Sequence, residues 1–106
     1  MLPRALPIDL PLDEIRAFCE RNHIRRLALF GSVLRDDFRP GGEDPSDIDV
    51  LVEFDETARV GYFDLARMQR DLASLFGHAV DLGTFNMVSP NARDQILSSM
   101  KVIYEE

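Results

Sequence analysis

The chain has 106 residues, a length that fits one small domain with little room for a second. Hydrophobic residues make up 45% of the sequence and charged residues 29%, which is ordinary for a globular protein and too apolar for a disordered chain. The formal net charge of −7 argues against a nucleic-acid-binding protein, which usually carries a basic patch. A nucleotide held through Mg²⁺ remains compatible with an acidic pocket.

The cysteine content and the hydropathy of the sequence predict the cellular compartment of the protein. Cys19 is the one cysteine of the sequence, so no disulfide can form within the chain. Its place in a helical pattern predicts a small buried apolar residue. The start of the chain has no sustained apolar run, and no stretch approaches the ~18–20 residues of a membrane helix. We therefore expect a cytoplasmic protein without a membrane segment.

The N-terminal segment, residues 1–11, carries three of the six prolines and is predicted to be an extended arm, so that the domain proper spans residues 12–106. Helical and strand-like apolar patterns alternate after it. The predicted elements are a helix at 12–22, a strand at 24–30, a helical turn at 33–35, a strand at 47–54, a helix at 62–76, a strand at 79–82 and a helix from Ser89-Pro90 to Met100. This order predicts an α/β (α+β) fold, with a small mixed β-sheet of three or four strands flanked by helices.

The second predicted strand has two chemically different faces. One face is apolar and carries Ile48, Val50, Val52 and Phe54. The period of two places Asp47 and Asp49 together on the other face, about 6–7 Å apart along the strand. That spacing suits two divalent cations about 3.5–4 Å apart, and oxygen ligands favour Mg²⁺ or Mn²⁺ over zinc. An isolated Asp-x-Asp is more often solvated surface, so its position on a rigid strand carries this interpretation. An EF-hand is disfavoured, because Val52 and Ala58 stand where its loop needs Gly and Glu.

Three further features accompany the paired aspartates. Gly31-Ser32 ends one strand and opens a helical turn, where backbone N–H groups can hold a phosphate, although such a turn alone is more often an ordinary connection. Asp81 in the short third strand is either an edge acid facing water or a third carboxylate of the site. Arg35 and Arg39 could contact phosphate or an acidic partner, but isolated arginines are more often solvated. Two residues have no sequence partner that suggests a base or ligand and are interpreted as structural: His23 and His78.

In combination, three segments resemble the minimal nucleotidyltransferases of the polymerase-beta superfamily. They are Leu-Phe-Gly-Ser-Val-Leu-Arg at 29–35, Ser-Asp-Ile-Asp-Val-Leu-Val at 46–52 and Val-Asp-Leu at 80–82. The resemblance covers about residues 12–104 and implies the polymerase-beta-like nucleotidyltransferase fold. It also implies roles for single residues: Gly31, Ser32 and Arg35 would bind phosphate. Asp47 and Asp49 would each bind both of two metal ions. Asp81 would bind the one of these ions that activates the attacking hydroxyl.

The resemblance also implies a substrate and a partner. Small stand-alone members look like the antitoxin half of a toxin–antitoxin pair, whose partner is an all-helical HEPN-type ribonuclease toxin. Such an antitoxin would transfer AMP from ATP, with two Mg²⁺ ions, to a tyrosine hydroxyl of the toxin within a hetero-oligomer. Chain length agrees, because a catalyst of this size needs an acceptor that supplies its own docking surface. Two alternatives stay open: a non-catalytic antitoxin that acts by occlusion, and transfer to a small molecule, which the lack of a second domain disfavours.

The loop before the paired aspartates departs from the family pattern. Fourteen residues, Val33 to Ser46, precede Asp47, which is longer than is common in the family, and residues 41–45 resemble a small insertion. Asp36 stands where a glycine often follows the arginine. Both departures concern the loop over the triphosphate and the role of Arg35.

Overall fold

The computed structural model describes residues 10–34, 47–85 and 88–106, which form three α-helices and four strands. The elements are α1 (Leu12–Arg21), β1 (Ile24–Phe30), a 3-10 helix (Gly31–Leu34), β2 (Ile48–Phe54), α2 (Tyr62–Phe76), β3 (Val80–Thr84), α3 (Pro90–Ser99) and β4 (Lys101–Glu105). The predicted α/β class is confirmed. β4 was not located from the sequence, although a fourth strand was allowed for.

The four strands form one mixed sheet in the order β3-β2-β1-β4. β1 pairs antiparallel with β2 and β4, whereas β2 pairs parallel with β3. A parallel pair needs a crossover connection, and α2 supplies it. β1 and β2 are the central strands, so the end of β1 and the beginning of β2 meet in the middle of the sheet.

The hydrophobic core lies between one face of the sheet and the helices α1 and α2. The buried helical residues are Ile15, Phe18, Cys19, Met68, Leu72 and Phe76. The sheet contributes Leu27, Leu29, Ile48, Val50, Val52 and Val80. The predicted apolar face of β2 is confirmed from Ile48 to Val52. Leu12, by contrast, is 57% exposed, because it begins α1 a turn before the buried stripe of that helix.

The predicted ends of α2 and α3 are confirmed. Gly77 follows α2 in the left-handed conformation, with φ of 69°, which a glycine adopts without a steric penalty. The hydroxyl of Ser89 accepts a hydrogen bond from the N–H of Ala92 at 3.3 Å, and Pro90 is the first residue of α3. After α3, Met100 is extended and leads directly into β4.

Of the segment predicted to be an extended N-terminal arm, Leu10 and Pro11 are described, and Leu10 packs against the core. The rest of that segment lies outside the described residues. Among the described helices, none has both the length and the apolar character needed to cross a membrane.

Candidate active site

Gly31 brings the backbone at the end of β1 against the Asp49 side chain. Its φ is +77°, in the left-handed region that favours glycine. A Cβ at this position would collide with Oδ2 of Asp49 and would lie 3.2 Å from its Cγ. The turn therefore requires glycine for two independent reasons, backbone conformation and space for a carboxylate.

The strand register places Asp49 beside Asp81. Asp49 of β2 pairs with Phe30 of β1 on one side and with Asp81 of β3 on the other. Directly paired residues project to the same face, and neighbouring strands lie about 4.8 Å apart. The two carboxylates are thus immediate neighbours on the face opposite the buried side chains of Ile48 and Val50.

The structure describes less of the surroundings of the other predicted site residues. Asp47 is exposed and precedes β2 by one residue, where the Ile48 N–H donates to the carbonyl of Ala79 at 2.9 Å. Ser32 belongs to the 3-10 helix that Gly31 opens. The prediction for Arg35, and that for Arg39, lie outside the described residues.

The chemistry of these residues suits a hard divalent cation. Like charges at paired strand positions repel, and a cation between Asp49 and Asp81 would offset that repulsion. Within the ranges described, no group of three or more His, Cys, Asp or Glu side chains is arranged to hold a metal ion unaided. Mg²⁺ is commonly bound by one or two carboxylates together with substrate phosphates. The aspartates therefore fit a cation that arrives with a nucleotide better than an all-protein cage.

A second cluster of charged residues lies at the opposite end of β1 and β2. Arg26 forms an ion pair with Glu53 at 2.7 Å. His23, with φ of 58°, has its Nδ1 3.8 Å from Oδ2 of Asp55. The Thr57 hydroxyl donates to the Asp55 carboxylate at 2.6 Å and so lowers the pKa of Asp55 below its ordinary value. These mutual contacts agree with a structural role for His23.

Gln69 contacts the strand that carries Asp81, and no sequence pattern pointed to it. The N–H of Leu82 donates to Oε1 of Gln69 at 3.0 Å. Nothing in the sequence distinguishes this glutamine from others on the exposed side of a helix. Its contact depends on which strand the fold brings beside the helix.

Comparison with known proteins identifies relatives across most of the chain. Residues 12–103 match the family model described as the nucleotidyltransferase domain. A protein of Methanocaldococcus jannaschii, named as a proposed protein adenylyltransferase, is 35% identical over 78 residues, which make up 74% of this chain and 77% of that protein.

Solved structures share the fold. A candidate minimal nucleotidyltransferase is 31% identical, with a TM-score of 0.65, over 84% of this chain and 85% of that one. A toxin–antitoxin complex with AMP-PNP contains a chain that is 22% identical, with a TM-score of 0.69, over 92% and 75% of the two chains. In a complex of a tri-AMPylated HEPN toxin from Shewanella oneidensis with its MNT antitoxin, the match is 21% identical, with a TM-score of 0.63, over 90% and 70%. At these last two identities the likeness concerns the fold alone.

Proposed function

Because the chain belongs to the nucleotidyltransferase domain family, we propose that it is the antitoxin of a toxin–antitoxin pair and transfers AMP from ATP to a tyrosine hydroxyl of a HEPN ribonuclease toxin. The observation that carries the proposal is the placement of the Asp49 carboxylate, against the backbone of Gly31 and beside Asp81 on the next strand. An acidic pair next to a glycine turn is suited to a nucleotide with its cations.

The site residues divide the work of binding. Asp47, Asp49 and Asp81 would hold two Mg²⁺ ions, with Mn²⁺ as a substitute, while the backbone at Gly31 and Ser32 would bind the β- and γ-phosphates. Arg35 is proposed as a further phosphate contact. When bound, Mg²⁺ supplies neutralisation of the phosphate charge and a lower pKa for the attacking hydroxyl.

The proposed reaction is an in-line displacement at the α-phosphorus. The tyrosine oxygen forms a bond to the α-phosphorus, and the bond from that phosphorus to the oxygen bridging the β-phosphate breaks, so pyrophosphate leaves. The phenolic proton passes to the carboxylate of Asp81, which acts as the base. The protein's own contribution is to hold the phosphates and the acceptor oxygen in line.

The charge of the chain favours a protein acceptor of this kind. A ribonuclease binds RNA phosphates through a basic surface. The net charge of −7 is complementary to such a surface and would speed association with it.

The direct test is transfer of label from ATP to the protein encoded beside this chain. With ATP labelled at the α-phosphate and Mg²⁺ present, we expect label on tyrosine of the partner and loss of its ribonuclease activity. The Asp47→Asn/Asp49→Asn double variant should transfer no label. Asp71→Asn removes an exposed acid from α2 and serves as the matched control, with transfer unchanged.

The same experiment separates transfer from occlusion. ATP labelled at the γ-phosphate should leave the partner unlabelled, because that phosphate departs in pyrophosphate. Neutralisation of the toxin by the double variant, with no label moved by the wild-type protein, would overturn the enzymatic proposal in favour of an antitoxin that acts by binding.

A further inference from the structure

Gln69 bonds to the backbone of the edge strand β3 directly after Asp81. β3 is at the end of the sheet and has β2 as its strand neighbour. An edge strand has backbone groups that the sheet does not pair. The N–H of Leu82 is bonded instead to Oε1 of Gln69 at 3.0 Å. The side chain of a helix thus takes the place of a missing strand at this one position.

This bond bears on the direction of the Asp81 side chain. The Leu82 N–H belongs to the peptide group that joins Asp81 to Leu82, and a peptide group is rigid and planar. A hydrogen bond that fixes the direction of this N–H therefore fixes the peptide plane between the Cα atoms of Asp81 and Leu82. The orientation of that plane in turn sets the direction in which the Asp81 carboxylate leaves the strand.

Gln69, the acceptor of this hydrogen bond, is itself firmly held. Gln69 lies on α2 between Met68 and Leu72, which are 2% and 0% exposed in the core. Asp49, the neighbour of Asp81, is held by the central strand β2. Without the hydrogen bond to Gln69, the edge strand β3, which carries Asp81, would be less constrained than the central strand β2, which carries Asp49.

We propose that Gln69 is a positioning residue, which holds the Asp81 carboxylate in register with Asp49 for cation binding and nucleotidyl transfer. The inference rests on the proposed function for its catalytic consequence, but not for its effect on the strand. Gln69 itself is exposed, so its replacement should leave the core and the midpoint of unfolding nearly unchanged.

The test compares Gln69→Met, which keeps the length of the side chain but lacks the acceptor, with Gln69→Glu, which keeps an acceptor oxygen. Arg70→Met is the matched control, an exposed neighbour on the same helix. In Gln69→Met we expect kcat to fall about 10-fold or more, as for other residues that support metal ligands, with a higher Mg²⁺ requirement and an unchanged KM for the protein acceptor. Gln69→Glu should recover most of the loss, and Arg70→Met should show none.

Two measurements without turnover keep this inference separate from the proposed function. In Gln69→Met, hydrogen exchange at the Leu82 amide should accelerate, and the Mn²⁺ concentration that broadens the Asp81 amide signal should rise several-fold. If the wild-type protein transferred no label, the proposed function would fail while these two results could still stand. Unchanged exchange and unchanged Mn²⁺ broadening in Gln69→Met would overturn the positioning role, as would a loss of kcat that follows a lowered midpoint of unfolding with an unaltered Mg²⁺ requirement.

Discussion

At the scale of single residues, Gly31 and Gly77 form a natural pair for experiment. Both have a positive φ, +77° and +69°, but a Cβ at Gly31 would meet the Asp49 carboxylate whereas a Cβ at Gly77 would meet nothing within 4 Å. Alanine at either position should cost about 1–2 kcal/mol of stability through the left-handed backbone. Gly31→Ala should in addition displace Asp49 and lower the rate of transfer by roughly 100-fold, since small misplacements of reacting groups have effects of this size.

Rates of AMP transfer and urea unfolding curves of both variants check this prediction. Gly77→Ala corrects for the backbone strain, so the difference between the variants reports the collision with Asp49. Equal transfer by the two variants would mean that the space beside Asp49 is not needed for the reaction.

The buried thiol of Cys19 leads to a prediction of how the stability of the protein changes at alkaline pH. Burial, with a smaller contribution from the Glu20 carboxylate, raises the pKa of the Cys19 thiol from 9.0 to about 12. Between these values the unfolded chain loses the thiol proton while the folded chain keeps it. The free energy of unfolding should therefore be unaffected by this group below pH 9 and fall above it, by up to about 1.4 kcal/mol per pH unit.

Urea unfolding at pH 8 and at pH 10.5 measures that slope. Cys19→Ala should be less stable than the wild-type protein at pH 8 because it leaves a cavity, but its further loss of stability by pH 10.5 should be smaller than that of the wild-type protein. If Cys19→Ala lost as much stability between these pH values as the wild-type protein, the slope would come from other titrating groups.

At the scale of elements, the sequence predicted those parts of the fold that local patterns determine. β1 and α2 were predicted with the bounds that the structure has, because a continuous apolar run and a helical stripe ending at Gly77 are local features. β4 was missed as a strand. This strand, Lys101–Glu105, is short and mixed in polarity, and its conformation depends on pairing with β1, which lies more than seventy residues earlier in the chain.

The site shows the same division between local and long-range information. Strand alternation predicted which face of β2 carries Asp49, and the segments that resemble minimal nucleotidyltransferases led to the family that the match over residues 12–103 establishes. The pairing of Asp49 with Asp81, and the close approach of Gly31, come from the sheet order, which no local pattern contains. Gln69 was missed for the same reason. The roles assigned to single site residues stay predictions.

At the scale of the whole molecule, the acidic character of the chain and its nucleotide site can be considered together. A chain with a net charge of −7 repels a triphosphate at long range, and the carboxylates at Asp49 and Asp81 add to that repulsion locally. ATP and Mg²⁺ should therefore bind as a unit, because each offsets charge that would oppose the other. Neither alone should bind strongly.

Thermal unfolding of the isolated chain tests this coupling without any partner. At 100 times its dissociation constant a ligand adds about 2.7 kcal/mol, which for a domain of this size raises the midpoint by roughly 10 °C. We expect such a rise with ATP and Mg²⁺ together, and little with ATP plus a chelator or with Mg²⁺ alone. Asp47→Asn/Asp49→Asn should abolish the rise and Asp71→Asn should retain it. An equal rise without Mg²⁺, or in the double variant, would place nucleotide binding away from the aspartates.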